Sequence, residues 1–126
     1  PPVFEVAKAS SEVTALLGVN PTRLWPFGEA PRDANGVPAS ATPYAVWRLS
    51  YVMPQNTLSC PPDIDNTGVQ VDAYAKTAAQ ARAVANALSE AYEDAYHHVV
   101  SWNGEFMDDL TRLFRVSFTV EFWTPR

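Results

Sequence analysis

The chain has 126 residues, of which 47% are hydrophobic and 18% charged, so we expect one globular domain spanning residues 1–126. Fourteen acidic residues against nine basic ones give a net charge of −5, which argues against a surface that grips nucleic-acid phosphates. Charged residues and prolines interrupt the apolar stretches, so neither a membrane span nor a secretory signal is expected, and a single cysteine excludes an internal disulfide.

The first seventeen residues predict a single helix, because apolar or small side chains recur there at the spacing of one helical face. This face consists of Val3, Val6, Ser10, Val13 and Leu17. Gly18 can close the helix in a left-handed conformation, and Pro21 prevents it from resuming. Residues 26–43 contain six prolines and glycines, so we expect an extended arm there, preceded by a short strand at residues 24–25.

Two segments alternate between apolar and mixed side chains with the period of a β-strand. In residues 44–53 the apolar face consists of Ala45, Trp47, Leu49, Tyr51 and Met53. In residues 69–76 it consists of Val69, Val71, Ala73 and Ala75. Two such strands joined by one loop predict an antiparallel hairpin, with residues 54–67 as its extended tip.

A second helix is predicted from Thr77, whose hydroxyl can cap the free amides, with Gln80 at the capping-box position. Its predicted buried face consists of Ala81, Val84, Ala85, Leu88, Tyr92 and Tyr96. Residues 97–102 predict a short strand that ends in a turn at residues 103–104. Residues 112–123 predict the last strand, with an apolar face of Phe114, Val116, Phe118, Val120 and Phe122.

The expected fold is therefore α+β, a two-layer domain with a four-stranded antiparallel sheet and two helices packed on one face, in α-β-β-α-β-β order. No phosphate-binding loop, nucleophile elbow or CxxC pair is present, so we expect no catalytic residue and no cofactor. His97 and His98 would point to opposite faces of a strand, which disfavours a metal site. If the preceding helix runs on to them, the simplest interpretation is a positive imidazole that meets the helix dipole and a nearby carboxylate. Cys60, which has no basic neighbour, is expected to be an inert thiol.

One stretch of the chain is rich in acidic residues. No lysine or arginine lies between Arg82 and Arg112, whereas six acids do: Glu90, Glu93, Asp94, Glu105, Asp108 and Asp109. The simplest interpretation is a solvated helix face and a polar loop, because the spacing of these oxygens lacks the pattern of a calcium loop. The other interpretation is a wall that faces a conduit for a polyanion, where fixed negative charge prevents adhesion.

The chain resembles the tail completion, or tail terminator, proteins of long-tailed bacteriophages and related tail-like particles over residues 13–123. The resemblance rests on ALLG at 15–18, RLWPFGEAP at 23–31, PYAVWRLSY at 43–51, GVQVDAYAKTAAQARAVANAL at 68–88 and RLFRVSFTVEFW at 112–123. The order and spacing of these segments carry more weight than any one of them alone.

The resemblance implies a structural virion protein without catalytic residues. Such proteins form a ring, expected to be a hexamer, that caps the tail tube, ends its polymerisation and offers a docking surface to the head connector. The implied partners are further copies of the chain, the tail tube protein and a head–tail connector or stopper protein. DNA would pass through the ring without specific binding. The implied location is the tail–neck junction of the virion, after assembly in the host cytoplasm.

Within that role we expect two sets of surface residues to matter. Contacts between subunits or with the tube are predicted for Phe27, Arg32, Asp33, Arg48, Leu58, Ile64 and Arg115. An acidic lumen is predicted for Asp94, Glu105, Asp108 and Asp109.

Three alternative functions stay open from the sequence. One is another neck component, such as a head–tail stopper or adaptor. A second is a small-ligand-binding or enzymatic α+β dimer, with a pocket between sheet and helices near Trp102 and the two histidines. A third is a scaffold domain of cellular origin.

Overall fold

The computed structural model describes residues 1–37, 39–54 and 64–125. Within these ranges the chain forms α1 (Val3–Lys8), α2 (Ser11–Leu17), β1 (Leu24–Pro26), β2 (Tyr44–Pro54), β3 (Ile64–Ala75), α3 (Ala78–Asp94), β4 (His98–Met107) and β5 (Phe114–Pro125). Leu58 and Cys60 lie outside the described residues, so the predictions made for them are not addressed by the structure.

The strands form one sheet in the order β1-β2-β3-β5-β4, in which β1 runs parallel to β2 and all other neighbours are antiparallel. The predicted α+β class is confirmed. The prediction of a four-stranded, purely antiparallel sheet with two helices is wrong in detail, because the described residues form five strands in a mixed sheet and three helices. A parallel neighbour needs a long crossover, and the arm at residues 27–43 supplies it.

Two short helices replace the single helix predicted at the N-terminus. The Ser10 side chain accepts a hydrogen bond from the Val13 amide at 3.3 Å, so Ser10 caps a new helix instead of continuing the first. The predicted apolar stripe still holds, since Val3, Val13 and Leu17 are buried. Gly18 follows α2 with a φ of 85° and a ψ of 176°; the positive φ favours glycine, but the left-handed helical conformation that the sequence predicted is not formed.

The third helix covers the sheet and is closed at both ends by local hydrogen bonds. Thr77 Oγ1 accepts from the Gln80 amide at 3.1 Å, as predicted. At the other end the Tyr96 amide donates to Glu93 O and the His97 amide donates to Tyr92 O, which is a Schellman motif. Tyr96 therefore has a φ of 68° and is 90% exposed, and its predicted place on the buried face is wrong.

The core lies between α3 and one face of the sheet. It contains fully buried side chains of the helix, of β3 and of β5, such as Ala85, Leu88, Val71, Phe118 and Phe122. Val116, Phe118, Val120 and Phe122 of β5 are all at most 6% exposed, so the predicted alternation of this strand is confirmed. The opposite face of the sheet, called the open face below, carries the polar and aromatic side chains.

An irregularity in β2 moves its distal half onto the other side of the sheet. The register shifts between Leu49 and Tyr51, so that Tyr51 lies opposite Gly68 and Met53 opposite Asn66. These two residues of β2 therefore belong to the open face, and their predicted place beside Ala45 and Trp47 is wrong. A β-bulge of this kind reverses the alternation because one extra residue is inserted into one strand.

The predicted turn at residues 103–104 is also wrong. β4 continues to Met107. Its pairing register with β5 shifts at Val100 and again at Asn103, and Gly104 takes a φ of 111° inside the strand. Asn103 Nδ2 donates to Thr119 Oγ1 at 2.8 Å, which holds the irregular segment against β5. The chain reverses after Asp108 instead, whose carbonyl accepts from the Arg112 amide at 2.7 Å.

Candidate interaction surfaces

The structure brings four of the predicted contact residues together on the open face. Phe27, Arg32, Arg48 and Arg115 line one cavity of about 210 Å³ between the arm and the sheet. Of the others, Asp33 lies in the arm, where its Oδ1 accepts from the amides of Asn35 and Val37 and shapes the turn there. Ile64 lies at the distal end of β3, opposite Pro125 of β5.

The cavity is lined by aromatic, cationic and acidic groups. We call it the arginine groove, defined by Arg32, Arg48 and Arg115 with Tyr44 and Tyr74; Asp72 and Asp108 also line it. The two tyrosine rings stack with centroids 4.9 Å apart and planes inclined by 14°. The strand register places them opposite each other on β2 and β3. Adjacent strands thus supply a flat aromatic floor, as cross-strand aromatic pairs do.

The three guanidinium groups are held by neutral partners. Arg48 Nη2 donates to Gln70 Oε1 at 3.0 Å, and Arg32 Nη1 donates to the carbonyl of Gly36 at 2.8 Å. Arg115 lies 4.8 Å above the ring of Phe106, a cation–π distance. Among the described residues, none of the three guanidinium groups has a carboxylate oxygen within 4.0 Å, although Asp72 and Asp108 line the same cavity.

The aromatic floor of the groove is partly desolvated. Burial is the largest cause that raises the pKa of Tyr44 to about 12, and Tyr74 and Asp108 raise it further. Burial also raises the pKa of Tyr74, followed by the charge of Asp72, whereas Arg115 opposes this rise. The groove is therefore a surface from which water is already partly excluded, where charge interactions are stronger than in bulk solvent.

A second cavity of about 650 Å³ lies on the helical side of the molecule, between α1, α2 and the end of α3. Four acids line it, and we call it the acidic groove: Glu5, Glu12, Glu90 and Asp94. No lysine or arginine is among its lining residues. Within the described part of the chain, no cation lies within 4.0 Å of these four carboxylates.

The predicted lumen residues do not form one cluster within a protomer. Asp94 lies in the acidic groove at the end of α3, and the seventeen residues of that helix span about 25 Å. Glu105 lies near the other end of α3 and forms an ion pair with Arg82, which lowers the Glu105 carboxyl pKa. Asp108 lines the arginine groove, and Asp109 follows it in the β4–β5 turn.

Exposed apolar side chains concentrate at two places, of whose residues the sequence predicted only Ile64 as a contact residue. The edge strand β4 exposes Val100, Trp102, Phe106 and Met107, each by 42–51%. The distal ends of β2, β3 and β5 expose Val52, Met53, Ile64 and Trp123, each by 42–52%. The exposed set on β4 could have been recognised from the sequence, because apolar residues occur on both sides of Asn103 and together form one long strand.

A polar cluster on the open face holds the distal strands together. The Tyr51 hydroxyl and Asn66 Nδ2 both donate to Oε2 of Glu121, the latter at 3.0 Å. The hydrogen bond to Glu121 is the largest cause that raises the pKa of Tyr51 to about 12. Three strands are thereby tied at one carboxylate.

His97 does not form the positively charged helix end that the sequence predicted. The His97 ring lies 4.2 Å from the Phe122 ring, between centroids. Burial lowers the His97 pKa, and His98 and the N-terminal amine lower it further, so the neutral imidazole is favoured. Among the described residues no group of three or more histidine, cysteine, aspartate or glutamate side chains could hold a metal ion.

The arrangement is one of surfaces for contact, and the comparisons with known proteins agree with it. The family model for tail completion protein gp17 matches residues 1–125. The chain belongs to the tail completion protein gp17 family. It is thus a structural protein of the virion tail.

A solved structure contains a chain of the same fold. The chain is similar to a chain of the structure described as "Virion of native gene transfer agent (GTA) particle", with a TM-score of 0.60 and 18% sequence identity. The alignment covers 98% of this tail completion family member and 92% of that chain. No curated protein sequence matches. Among the described residues, no helix has the length and apolarity that crossing a bilayer requires.

Proposed function

We propose that this tail completion protein forms a closed ring, a hexamer, on the finished end of the tail tube. The ring ends tube polymerisation and presents a docking surface to the head connector or stopper, at the tail–neck junction. The observation that carries this proposal is the family match over residues 1–125. Assembly would take place in the host cytoplasm, before the tail joins the head.

Exposed apolar surface supports a role in assembly. The side chains on β4 and at the distal strand ends are half exposed in the protomer, and apolar patches of this kind mark contact sites in soluble proteins. They lie at different places on one chain, which suits a head-to-tail contact that closes into a ring. We propose contacts between subunits or with the tube through Phe27, Arg32, Asp33, Arg48, Leu58, Ile64 and Arg115.

The same geometry disfavours the alternative of a ligand-binding dimer. The space between α3 and the sheet is filled by buried side chains such as Val84, Leu88 and Phe118. The cavity beside Trp102 is an open surface groove, and neither histidine lines it. We therefore propose that the protein acts through contacts and has no enzymatic activity.

The acidic residues have a place in this proposal. Asp94, Glu105, Asp108 and Asp109 are proposed to face the lumen through which DNA passes, so that the phosphates meet no specific binding site. Because they lie near both ends of α3, they would be distributed along the depth of the lumen and not in one ring of charge. Asp108 and Asp109, in the turn, would lie near one opening.

Tube assembly tests the proposed function. Tubes are polymerised from the cognate tail tube protein with and without the purified chain, and their lengths and ends are measured by electron microscopy. We expect shorter tubes that carry a ring at one end. Tubes that keep growing, with bare ends, in the presence of excess protein would contradict the proposal.

A further inference from the structure

We infer that the acidic groove of one copy receives the arginine groove of the next copy. The inference rests on the proposed ring and names the two surfaces that would meet in it. The occupant of each groove is therefore a second copy of this chain, bound by charge-assisted hydrogen bonds between guanidinium and carboxylate groups.

The first support is that charges of opposite sign are sorted into two places. The arginine groove holds three guanidinium groups, and the acidic groove holds four carboxylates. Among the described residues, the ion pair within 4.0 Å is Arg82–Glu105, which belongs to neither groove. Within the described ranges, neither set forms an ion pair inside the protomer, although Asp72 and Asp108 also line the arginine groove and reduce its net positive charge.

The second support is the position of the two grooves. Arg48 and Arg115 project from the open face of the sheet, whereas the acidic groove lies among the helices that cover the other face. One copy cannot bring its own two grooves together. A symmetric dimer cannot satisfy both pairs either, because grooves on opposite layers cannot face the same partner at once. A head-to-tail series satisfies every groove, and its closure leaves no groove empty.

The third support is chemical. Arginine presents a planar fork of donors that matches the two oxygens of a carboxylate, and such pairs are stronger than neutral hydrogen bonds. The partly desolvated tyrosine floor strengthens them further. Because the four carboxylates and two of the three arginines, Arg32 and Arg48, are exposed in the free protomer, the contact is expected to weaken as salt is raised.

Two charge-reversed variants test the pairing. Variant A carries Arg32→Glu and Arg48→Glu, and variant B carries Glu12→Lys and Glu90→Lys; all four side chains are exposed, so the folded state should tolerate the changes. Circular dichroism and thermal melting establish that each variant is folded. The matched control is Glu93→Lys, which places the same new charge on α3 outside the acidic groove.

Native mass spectrometry at low and high salt is the measurement. We expect wild type and the control to form rings, and each variant alone to self-associate at least about a hundredfold more weakly, because like charges then face each other. An equal mixture of A and B should restore rings in which the two alternate, since every contact again joins opposite charges.

The outcomes separate this inference from the proposed ring. Rings formed equally well by A or B alone overturn the inference and leave the ring in place. A monomeric wild type contradicts both. Rings retained by A together with loss of binding to duplex DNA would overturn the inference too, and would assign the arginine groove to phosphates.

Discussion

Gly68 and Tyr51 form a contact on the open face that depends on the absence of a side chain. The two residues are paired across β2 and β3, and a Cβ atom at Gly68 would overlap the Tyr51 ring. The ring crosses the glycine so that its hydroxyl can reach Glu121 on the next strand. One missing side chain therefore allows a hydrogen bond that spans three strands.

Gly68→Ala should destabilise the protein by about 1–3 kcal/mol, because the methyl group forces the Tyr51 ring off its position. The free energy of unfolding in urea is the measurement. In a Tyr51→Ala background, where the ring is gone, the same substitution should cost much less. Equal costs in both backgrounds would show that the clash with the ring is not the cause.

Tyr44 gives the protein a pH dependence in the alkaline range. Its pKa in the folded state is about 12, against an ordinary value of 10.0, so folding favours the protonated phenol. The resulting contribution to stability is fully present below pH 10 and is lost as the pH rises through about 12.

The free energy of unfolding should therefore fall between about pH 10 and pH 12, and the fall should be smaller in Tyr44→Phe. Urea unfolding at several alkaline pH values measures the slope. Tyr96→Phe is the control, since Tyr96 is 90% exposed and lies outside the groove. An unchanged slope in Tyr44→Phe would contradict the assignment.

Among the elements, α3 is determined mainly by residues within it or next to its ends. Thr77 caps its first turn, a Schellman motif closes its last turn, and alanines at positions such as 81 and 85 let it pack closely on the sheet. The helix also anchors the N-terminal segment, since the buried Tyr92 hydroxyl donates to the carbonyl of Val3 at 3.1 Å.

Thr77→Ala should lower the free energy of unfolding by about 1 kcal/mol, because the amide of Gln80 loses its acceptor. Thr77→Ser retains the oxygen and should lose much less. Urea denaturation midpoints of the two variants give the comparison. Equal losses in both would indicate that the threonine methyl group, and not the cap, is responsible.

The elements that sequence could predict are those specified by local pattern. Strict alternation predicted β5 and residues 69–75 of β3, and the cap at Thr77 predicted the start of α3; residues 64–67, predicted as part of the hairpin tip, belong to β3. The errors fall where a long-range partner decides. The bulge in β2 makes room for Tyr51 against a glycine on another strand, and Asn103 continues β4 because Thr119 of β5 satisfies its side chain. The parallel place of β1 likewise depends on the path of the arm.

The candidate contact surfaces were predictable only in part. Arg48 and Arg115 were placed on the mixed sheet face by alternation alone, and Arg32 in the arm by its breaker-rich surroundings. The arm folds back over the sheet and brings the three arginines into one groove with Tyr44. This placement depends on tertiary structure, and no local sequence pattern indicates it. The sequence did not predict the acidic groove, because Glu5 and Glu12 are about eighty residues away from Glu90. Periodicity relates only residues within one helix or strand.

At the scale of the whole molecule, the protomer has surfaces that point in different directions. The arginine groove lies on the open face of the sheet and the acidic groove lies in the helical layer. Apolar side chains are exposed on β4 and at the distal strand ends. Copies of such a molecule can bury these surfaces by repeating a single contact from one copy to the next. A ring on a tube is one such assembly, and it leaves two faces free for other partners.

The proposed lumen gives a prediction at this scale. A variant with Asp94→Asn, Glu105→Gln, Asp108→Asn and Asp109→Asn should still assemble into particles, because the acidic groove keeps Glu5, Glu12 and Glu90, and the loss of Asp108 makes the arginine groove more positive. DNA ejection should be slower, because the lumen then has less negative charge to repel the phosphates and prevent their adhesion. Ejection rates measured by DNA release from purified particles test this. A rate equal to that of wild type, in fully assembled particles, would refute the lumen assignment.

The most direct test of the central claim is the position of this chain in an intact particle. Cryo-electron microscopy of the tail, at a resolution that traces side chains, should show one closed ring of the protein between the last ring of the tail tube and the head connector. A particle in which the chain lies elsewhere, or in which the tube meets the connector without it, would contradict the account.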